Sequence, residues 1–497
     1  MLPKLKNHLS KSTFLRGLQC EKSLYLYKHH YNLKDPITPS HQSVLEEGNK
    51  IGILAQKLFP NGVNASTNNE LDIFDSIEKT KKLILDGAPI IYEASFQYDD
   101  VFAAIDILVK VKDGWKAYEV KSSTKISDVY IKDAAIQFYT ISNSGIKLKD
   151  VSIIFINNGY VRKGDLDINK LFSIQSVYDN VFEFLPRIPN DITRLKNIIA
   201  SPEVPQITIG QHCSDPYECD FRGTCWKHIP EYSVFDITRL NNNKKFELYN
   251  QGIVSLDQID LNNTNLNSNQ ILQVEAEVKG TSHINKTKIS DFISGLNYPL
   301  YFLDFETIGP AVPIYENSSP FQQLVFQYSL HIKHSPTSDI IHREYLADPK
   351  VDPRIGFVEQ LIKDCGLSGD VIVYNLGFEK GKLKDLIDIF PQYANELIGI
   401  IDRLKDLMIP FQQRWYYTPE MKGSYSIKYI LPALVPEFSY DSLEIKEGGT
   451  ASNTFLSMVN DTFNGDIDEK RKHLLEYCTM DTYAMIKILD KLFDIVG

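Results

Sequence analysis

Residues 298–309 read YPLYFLDFETIG, an apolar strand pattern interrupted by two carboxylates. Side chains of an extended chain alternate between faces, so Asp304 and Glu306 share one face and Phe305 takes the other. Two like charges in an otherwise apolar strand are costly unless they are paired with cations or bound to metal. This strand therefore needs partners that lie elsewhere in the chain. VIVYNLGFEKGKL (371–383) reads as a strand followed by a helix start and offers Asn375 and Glu379. HLLEYCTMDTYAMIKIL (473–489) reads as a helix in which Tyr477 and Asp481, four apart, share a face.

At 497 residues the chain has room for about three domains of ~150 residues each. Its 43% hydrophobic and 24% charged residues are ordinary globular composition. That excludes a mainly disordered chain, a collagen-like fibre and a small disulfide scaffold. No window approaches about 18 uncharged apolar residues, so no membrane span and no membrane partner are expected. The opening MLPKLKNHLSKSTFLRGLQC is basic but lacks an apolar core, so it does not read as a secretory signal. Six cysteines are too few for a disulfide framework. A cytoplasmic, reduced protein is expected, with its cysteines buried or acting as ligands. The net charge of −11 argues against a basic nucleic-acid binder. Residues 298–497 carry 19 basic and 29 acidic residues, net −10. An acidic domain can act on nucleic acid when bound metal neutralises part of its acid content.

The expected fold class is α/β multidomain. Residues 1–230 read as mixed α and β. SVLEEGNKIGILAQKLF (43–59) has helical spacing. APIIYEASF, AAIDILVKV, WKAYEVKSS and VSIIFINNG read as strands, with a helix at about 128–142. Asp106 lies in the second of these strands. Glu119 and Lys121 lie in the third, two apart and therefore on one face. Two carboxylates suit Mg²⁺ or Mn²⁺, and the lysine could orient an attacking water. The competing reading is a surface hairpin with a salt bridge. Residues 231–297 are Asn-rich and helix-prone. KKFELYNQGIVSLDQI there resembles a helix–turn–helix with Gly252 at the turn, of the kind that contacts DNA, against the plainer reading of a helical linker.

The order Glu93, Asp106, Glu119-Val120-Lys121, then Gln137 and Tyr139, resembles the RecB-type PD-(D/E)XK nucleases. Ala103 stands where that pattern has Gly, and Gln137-Phe138-Tyr139 is a compressed form of its Q-x-x-x-Y. The upstream histidine of many relatives has no counterpart in GNKIGILAQKLF, where Gln56 is the nearest polar residue. The resemblance implies a restriction-endonuclease-like domain over 1–230, with Asp106 and Glu119 on the metal and Lys121 and Gln137 as catalytic partners.

Cys213, Cys219 and Cys225 stand in HCSDPYECDFRGTCW with five residues between neighbours, and Cys20 lies far upstream. Zinc knuckles use shorter gaps. The polar, turn-forming surroundings speak against three separately buried thiols and for a metal cluster. One cysteine before the nuclease core and three after it resemble the iron–sulfur subset of RecB-like nucleases. That resemblance implies a structural [4Fe–4S] cluster on Cys20, Cys213, Cys219 and Cys225. Cys365 and Cys478 read as ordinary buried thiols.

The segments with Asp304 and Glu306, with Glu379, and with Tyr477 and Asp481 together resemble the DnaQ-like DEDD exonucleases with a tyrosine in the third motif. The resemblance implies an RNase H-like domain over 298–497. Asp304, Glu306, Glu379 and Asp481 would hold metal ions, with Glu379 where that family usually has aspartate, and Tyr477 would handle the attacking water. SPFQQLVFQYSLH and YYTPEMKGSYSIKYILPALVP resemble the bacterial "domain of unknown function 2779" family, in which such a domain follows a RecB-like iron–sulfur domain. The function so implied is metal-dependent DNA hydrolysis, exonucleolytic, in repair or foreign-DNA defence. An RNA-processing exonuclease and a non-catalytic nucleic-acid-binding platform remain open beside it. Protein partners are not indicated.

Overall fold

A computed structural model describes residues 8–67, 73–262 and 265–497. The chain divides into two compact units. Unit 1 runs to His228 and takes in Ala311–Phe321; unit 2 comprises Ile229–Pro310 and Gln322–Gly497. The 231–297 segment thus clusters with unit 2.

In unit 1 the strands β1 (Ile90–Tyr98), β2 (Val101–Val111) and β3 (Gly114–Lys121) form an antiparallel meander. Asp99 and Asp100, with φ of 50° and 56°, supply the two positive-φ residues that a tight hairpin turn between β1 and β2 needs. The helix expected near 128–142 forms as α2 (Asp128–Asn143), following α1 (Lys11–Gln19) in chain order. It carries the chain to β4 (Leu148–Ile156), parallel to β3, because a parallel neighbour requires a crossover. β5 (Phe172–Ser176) returns antiparallel. Two-residue strands at Val63–Asn64 and Leu9–Ser10 extend this mixed seven-stranded sheet. Ala134, Phe138 and Ile141 of α2 pack on one face with Ile105 and Ile153. The helix Pro39–Ala55 covers the other through Ile51 and Ala55, where Ile107, Ile154 and Ala311 join them. Arg162 donates to the carbonyls of Pro313 at 3.1 Å and Ile314 at 2.7 Å, which fixes the Ala311–Phe321 segment within this unit.

Unit 2 is built on a second mixed sheet. Its strands are β6 (Leu300–Ile308), β7 (Leu324–Lys333), β8 (Ile340–Leu346), β9 (Asp370–Val373) and β10 (Leu404–Asp406), ordered β8–β7–β6–β9–β10. β8, β7 and β6 run antiparallel, while β6, β9 and β10 run parallel. β6 is central and covered on both faces, which its near-continuous apolar sequence requires. Phe305 packs on Phe357 of the helix Pro353–Asp364, ring centroids 5.1 Å apart. The opposite face, with Asp304 and Glu306, lies toward the C-terminal helix Ile467–Val496: Gln327 and Ser329, their β7 partners, bond Leu474 and Thr482 of that helix. Asp466 caps that helix by accepting from the N–H groups of Asp468 and Glu469. Its buried stripe includes Leu474, Tyr477, Cys478, Asp481 and Met485, spaced three and four apart.

The helix–turn–helix resemblance, set beside the plainer reading of a helical linker, is not carried through in the backbone. Asn242–Asn250 is helical and Gly252 (φ 81°) ends it, but the second helix is a single 3₁₀ turn, Leu256–Gln258. Ser255 and Gln258 close a capping box on that short turn, which binds the local backbone instead of propagating a helix. The next helix begins at Ser268. Among the described residues, no helix is long and apolar enough to cross a membrane.

Candidate metal centres

β6 presents Asp304 and Glu306, and the C-terminal helix presents Asp481 to the same point. Oxygens of the three carboxylates lie within 4.8 Å of one another. Glu306 and Asp481 are each only 8% exposed, so water does little to screen them. Burial pushes Asp304 and Glu306 well above the ordinary carboxylate range. Repulsion adds to it, from Asp481 on Asp304 and from Asp304 and Asp481 on Glu306. Asp481 is pushed up to about 6, also by burial, against the favourable pull of a hydrogen bond from Tyr440 and the charge of Lys428. The Tyr440 hydroxyl donates to Asp481 Oδ1 at 2.6 Å.

Glu379 sits in the first turn of α3 (Leu376–Ile389), outside the trio but close enough for Asp304 to push its carboxyl up further than burial alone does. It is 1% exposed, and its Oε2 has no hydrogen-bond partner. Asp406 places this helix. Its carboxylate accepts the N–H groups of Asn375 at 3.2 Å, Leu376 at 3.1 Å and Met408 at 2.9 Å. Asn375, with φ of 89°, starts the helix from an exposed, left-handed position.

Tyr477 is buried one turn from Asp481. Its hydroxyl is held in the protonated form, by burial first and then by the negative charge of Asp481, Glu306 and Asp304. The Lys428 ammonium lies 5.5 Å from the Tyr477 ring centroid and 5.7 Å from that of Tyr440, within cation–π reach of both. A Cβ on Gly448 would lie 3.6 Å from Glu306 Oε2 and 3.9 Å from the Tyr477 hydroxyl, which places this backbone at ordinary contact distance from the site. Cys478 is buried as expected, but its sulfur also lies 3.8 Å from the Asp304 carboxylate. Cys365 is a buried thiol in the core of unit 2.

In unit 1, Asp106, Glu119, Lys121 and Gln137 also come together. Asp106 accepts the Val120 N–H at 2.6 Å across the β2–β3 pair. Glu119 Oε1 takes Lys121 and Lys11, both at 2.7 Å, and its Oε2 takes Gln137 at 2.6 Å. Lys121 also reaches Asp133 Oδ2 at 2.5 Å. Burial opposes ionisation of Glu119, but the two lysines hold its carboxyl below the ordinary range. Asp106, raised to about 8 by burial and by Glu119, goes the other way. Glu93 stands in β1 between the paired residues Tyr92 and Ala94, with a left-handed φ of 54°, and its carboxyl is raised by burial and by Glu119. Tyr139 is not part of this group: its ring meets Tyr98 edge-on at 5.7 Å. The Gln56 carbonyl accepts from Tyr92.

Cys20, Cys213, Cys219 and Cys225 all line one narrow cavity. Burial pushes the Cys20 and Cys225 thiols up, and the neighbouring Cys219 and Cys213 sulfurs add to it. The Cys219 N–H donates to the Cys213 carbonyl at 2.8 Å. Arg16 on α1 reaches Asp220 with both guanidinium nitrogens, at 2.5 and 3.0 Å, and so ties the N-terminal helix to the three-cysteine segment.

Several residues of these sites went unread in the sequence. Asp133 stands four before Gln137 on α2, a spacing that puts both on one helix face and could have revealed it. Lys11, Tyr440, Lys428 and Asp406 arrive from distant or irregular segments and leave no periodic signal.

A family model described as "domain of unknown function (DUF2779)" matches residues 301–426. The matched stretch contains Asp304, Glu306 and Glu379 and ends before Tyr477 and Asp481. The chain is also similar to "Uncharacterized protein MG366 homolog" of Mycoplasma pneumoniae, 29% identical over 209 residues, 38% of this chain and 31% of that protein. Against "Uncharacterized protein UU173" of Ureaplasma parvum it is 27% identical over 303 residues, 54% of this chain and 42% of that protein. The chain spans less than half the length of these curated relatives.

Proposed function

We propose that the protein is a metal-dependent nuclease with two catalytic centres, hydrolysing phosphodiester bonds of DNA. The observation that carries this reading is the convergence of Asp304 and Glu306 of β6 with Asp481 of the C-terminal helix, with the unpartnered Glu379 oxygen beside them. An all-oxygen donor set with so little internal compensation suits Mg²⁺ or Mn²⁺. Such ions, when bound, acidify water and neutralise charge on the leaving oxygen. The Tyr477 hydroxyl positions the attacking water, and Tyr440 holds Asp481 in place. The mixed sheet with its acidic central strand supports a DnaQ-like, RNase H-like domain in unit 2. Asp106, Glu119 and Lys121 on adjacent strands of a mixed sheet support a PD-(D/E)XK domain in unit 1, where Lys121 faces the substrate phosphate and Gln137 orients Glu119. The test is cleavage of end-labelled single- and double-stranded DNA and RNA with Mg²⁺ or Mn²⁺. Metal-dependent loss of label from DNA is expected; cleavage of none of the four would overturn the proposal, and cleavage of RNA alone would move it to RNA processing.

The four cysteines around one cavity fit a thiolate-held [4Fe–4S] cluster that joins the two ends of unit 1. Protein purified anaerobically should be brown and contain iron, and Cys219→Ala should lower both iron content and the stability of unit 1. Stoichiometric zinc without iron would overturn the assignment.

A further inference from the structure

Unit 2 contains an open cleft of about 610 Å³ that neither acidic site uses. One wall comes from the segment before the acidic strand, with Arg239 and Lys245. The other comes from residues 422–429, with Lys422, Tyr425 and Tyr429, and Tyr374 lies at the end of β9. The walls are locked together from below. Buried Arg414 donates to Thr238 Oγ1 at 2.6 Å and to the Gly423 carbonyl at 2.8 Å, and Tyr374 donates to the Tyr425 carbonyl at 2.8 Å.

We propose that this cleft binds a stretch of single-stranded nucleic acid running from the acidic site; the proposal rests on the nuclease reading above. Three features of the cleft carry it. The first is charge. Arg239 is exposed and forms no ion pair among the described residues, and Lys245 donates to the Phe235 carbonyl at 2.6 Å without a carboxylate partner. Lys422 is paired with Glu231, and Asp236, which accepts from Ser233, keeps its charge and lies near enough for Lys245 to feel it, so the lining holds three cations against one carboxylate. A cationic cleft is conspicuous in a unit whose residues 229–310 and 322–497 carry 25 basic and 36 acidic side chains, net −11. The second is aromatic interleaving. Arg239 lies 5.4 Å from the Tyr425 ring centroid, and Tyr429 is 46% exposed. Phosphates tracked by cations and bases stacked on aromatic rings are the two terms that hold single strands without sequence readout. The third is continuity. Asn375 at the cleft begins the helix that carries Glu379, and Ile427 at the cleft immediately precedes Lys428. A strand with its end at the acidic residues would pass between these helix starts into the cleft.

The test is fluorescence anisotropy of full-length protein with labelled oligothymidylate or oligouridylate of about 16 nucleotides, without added divalent ions. Either polymer binding the wild type fits the proposal, and the two arms say which. Arg239→Ala with Lys245→Ala should weaken binding at least tenfold and flatten its salt dependence. Tyr429→Ala, on a side chain that is 46% exposed, should weaken it about tenfold. Wild-type affinity in both variants, no binding by the wild type, or tighter binding of a blunt duplex would each overturn the cleft. Binding that depends on Arg239 in a protein that cleaves nothing would leave the cleft standing and sink the nuclease reading. Cleavage together with unaltered binding in the variants would do the reverse.

Discussion

The two acidic sites handle the same electrostatic problem in opposite ways. In unit 1, Glu119 is as buried as the carboxylates of unit 2, yet Lys11, Lys121 and Gln137 satisfy both its oxygens. The Glu119 charge is compensated from within the fold, while Asp106 beside it, raised to about 8 by burial and by Glu119, is not. In unit 2, Asp304, Glu306 and Asp481 face one another, and Glu379 keeps a bare oxygen. The compensation there is weak: hydroxyls of Tyr440 and Tyr477 on Asp481, the Cys478 thiol on Asp304 and the more distant Lys428. A buried charge without a partner is expensive, so the second site stores a repulsion that a bound cation would relieve. The lesson is that two carboxylate sets with similar sequence signals differ in what they need from outside.

The sharpest way to break that comparison is to remove one site at a time. Asp304→Asn should abolish the cleavage due to unit 2, by about 10³-fold or more, since metal ions supply several kcal/mol of charge stabilisation. The same substitution should raise the thermal stability of the metal-free protein, because it deletes a repelling charge. Lys121→Ala should remove a different set of products. If either substitution abolishes all cleavage while the other changes nothing, only one site is active.

Tyr477→Phe tests whether unit 2 uses a tyrosine where unit 1 offers lysine. The ring and its packing survive, and only the hydroxyl is lost. Turnover should fall by about 10²–10⁴-fold with folding and the stabilisation by Mg²⁺ nearly unchanged. Wild-type turnover would show that Tyr477 only packs the last helix.

Lys11→Met sharpens the claim that unit 1 is compensated internally. It leaves Glu119 with one lysine, and unit 1 should lose about 2 kcal/mol, the worth of a hydrogen bond to a charged group, seen as a lower denaturation midpoint. No loss would mean that Lys121 and Gln137 suffice.

The smallest expected effect is in pH dependence. Asp481, ordinarily near 3.8, is raised to about 6, and Asp304 and Glu306 are raised further. The folded state therefore holds protons that the unfolded chain has released, and this part of stability falls as pH rises from about 4 through 6 and beyond. Glu119, held below its ordinary 4.5, works with the opposite sign: its contribution is present above that value and is lost as the solution is acidified. Metal-free unit 2 should melt at a lower temperature at pH 8 than at pH 5, and Mg²⁺ should close the gap. A gap that Mg²⁺ leaves unchanged would detach these carboxylates from metal binding.

Much of this was legible in the sequence because it is local. Alternation along YFLDFETI places Asp304 and Glu306 on one face whatever lies around them. The i, i+4 spacing does the same for Tyr477 and Asp481, and the i, i+2 spacing for Glu119 and Lys121. Six strands (β1, β2, β3, β4, β6 and β9), α2 and the helices Pro39–Ala55 and Ile467–Val496 followed from periodicity and turn residues. The helix–turn–helix resemblance, an alternative to the helical linker, was not realised because a short amphipathic run does not say whether its second half will be a helix or one capped 3₁₀ turn.

What the sequence determined by itself is which residues share a face, since backbone geometry fixes that over a few residues. Only the tertiary structure decided how each charge is answered. Lys11 reaches Glu119 from 108 positions away, and Tyr440 reaches Asp481 from 41. The position of a partner in space depends on how sheets and helices pack, and no spacing along the chain encodes it. That is why the strand of Asp304 and Glu306 could announce a need for partners, while the fold alone showed that few came from within the protein.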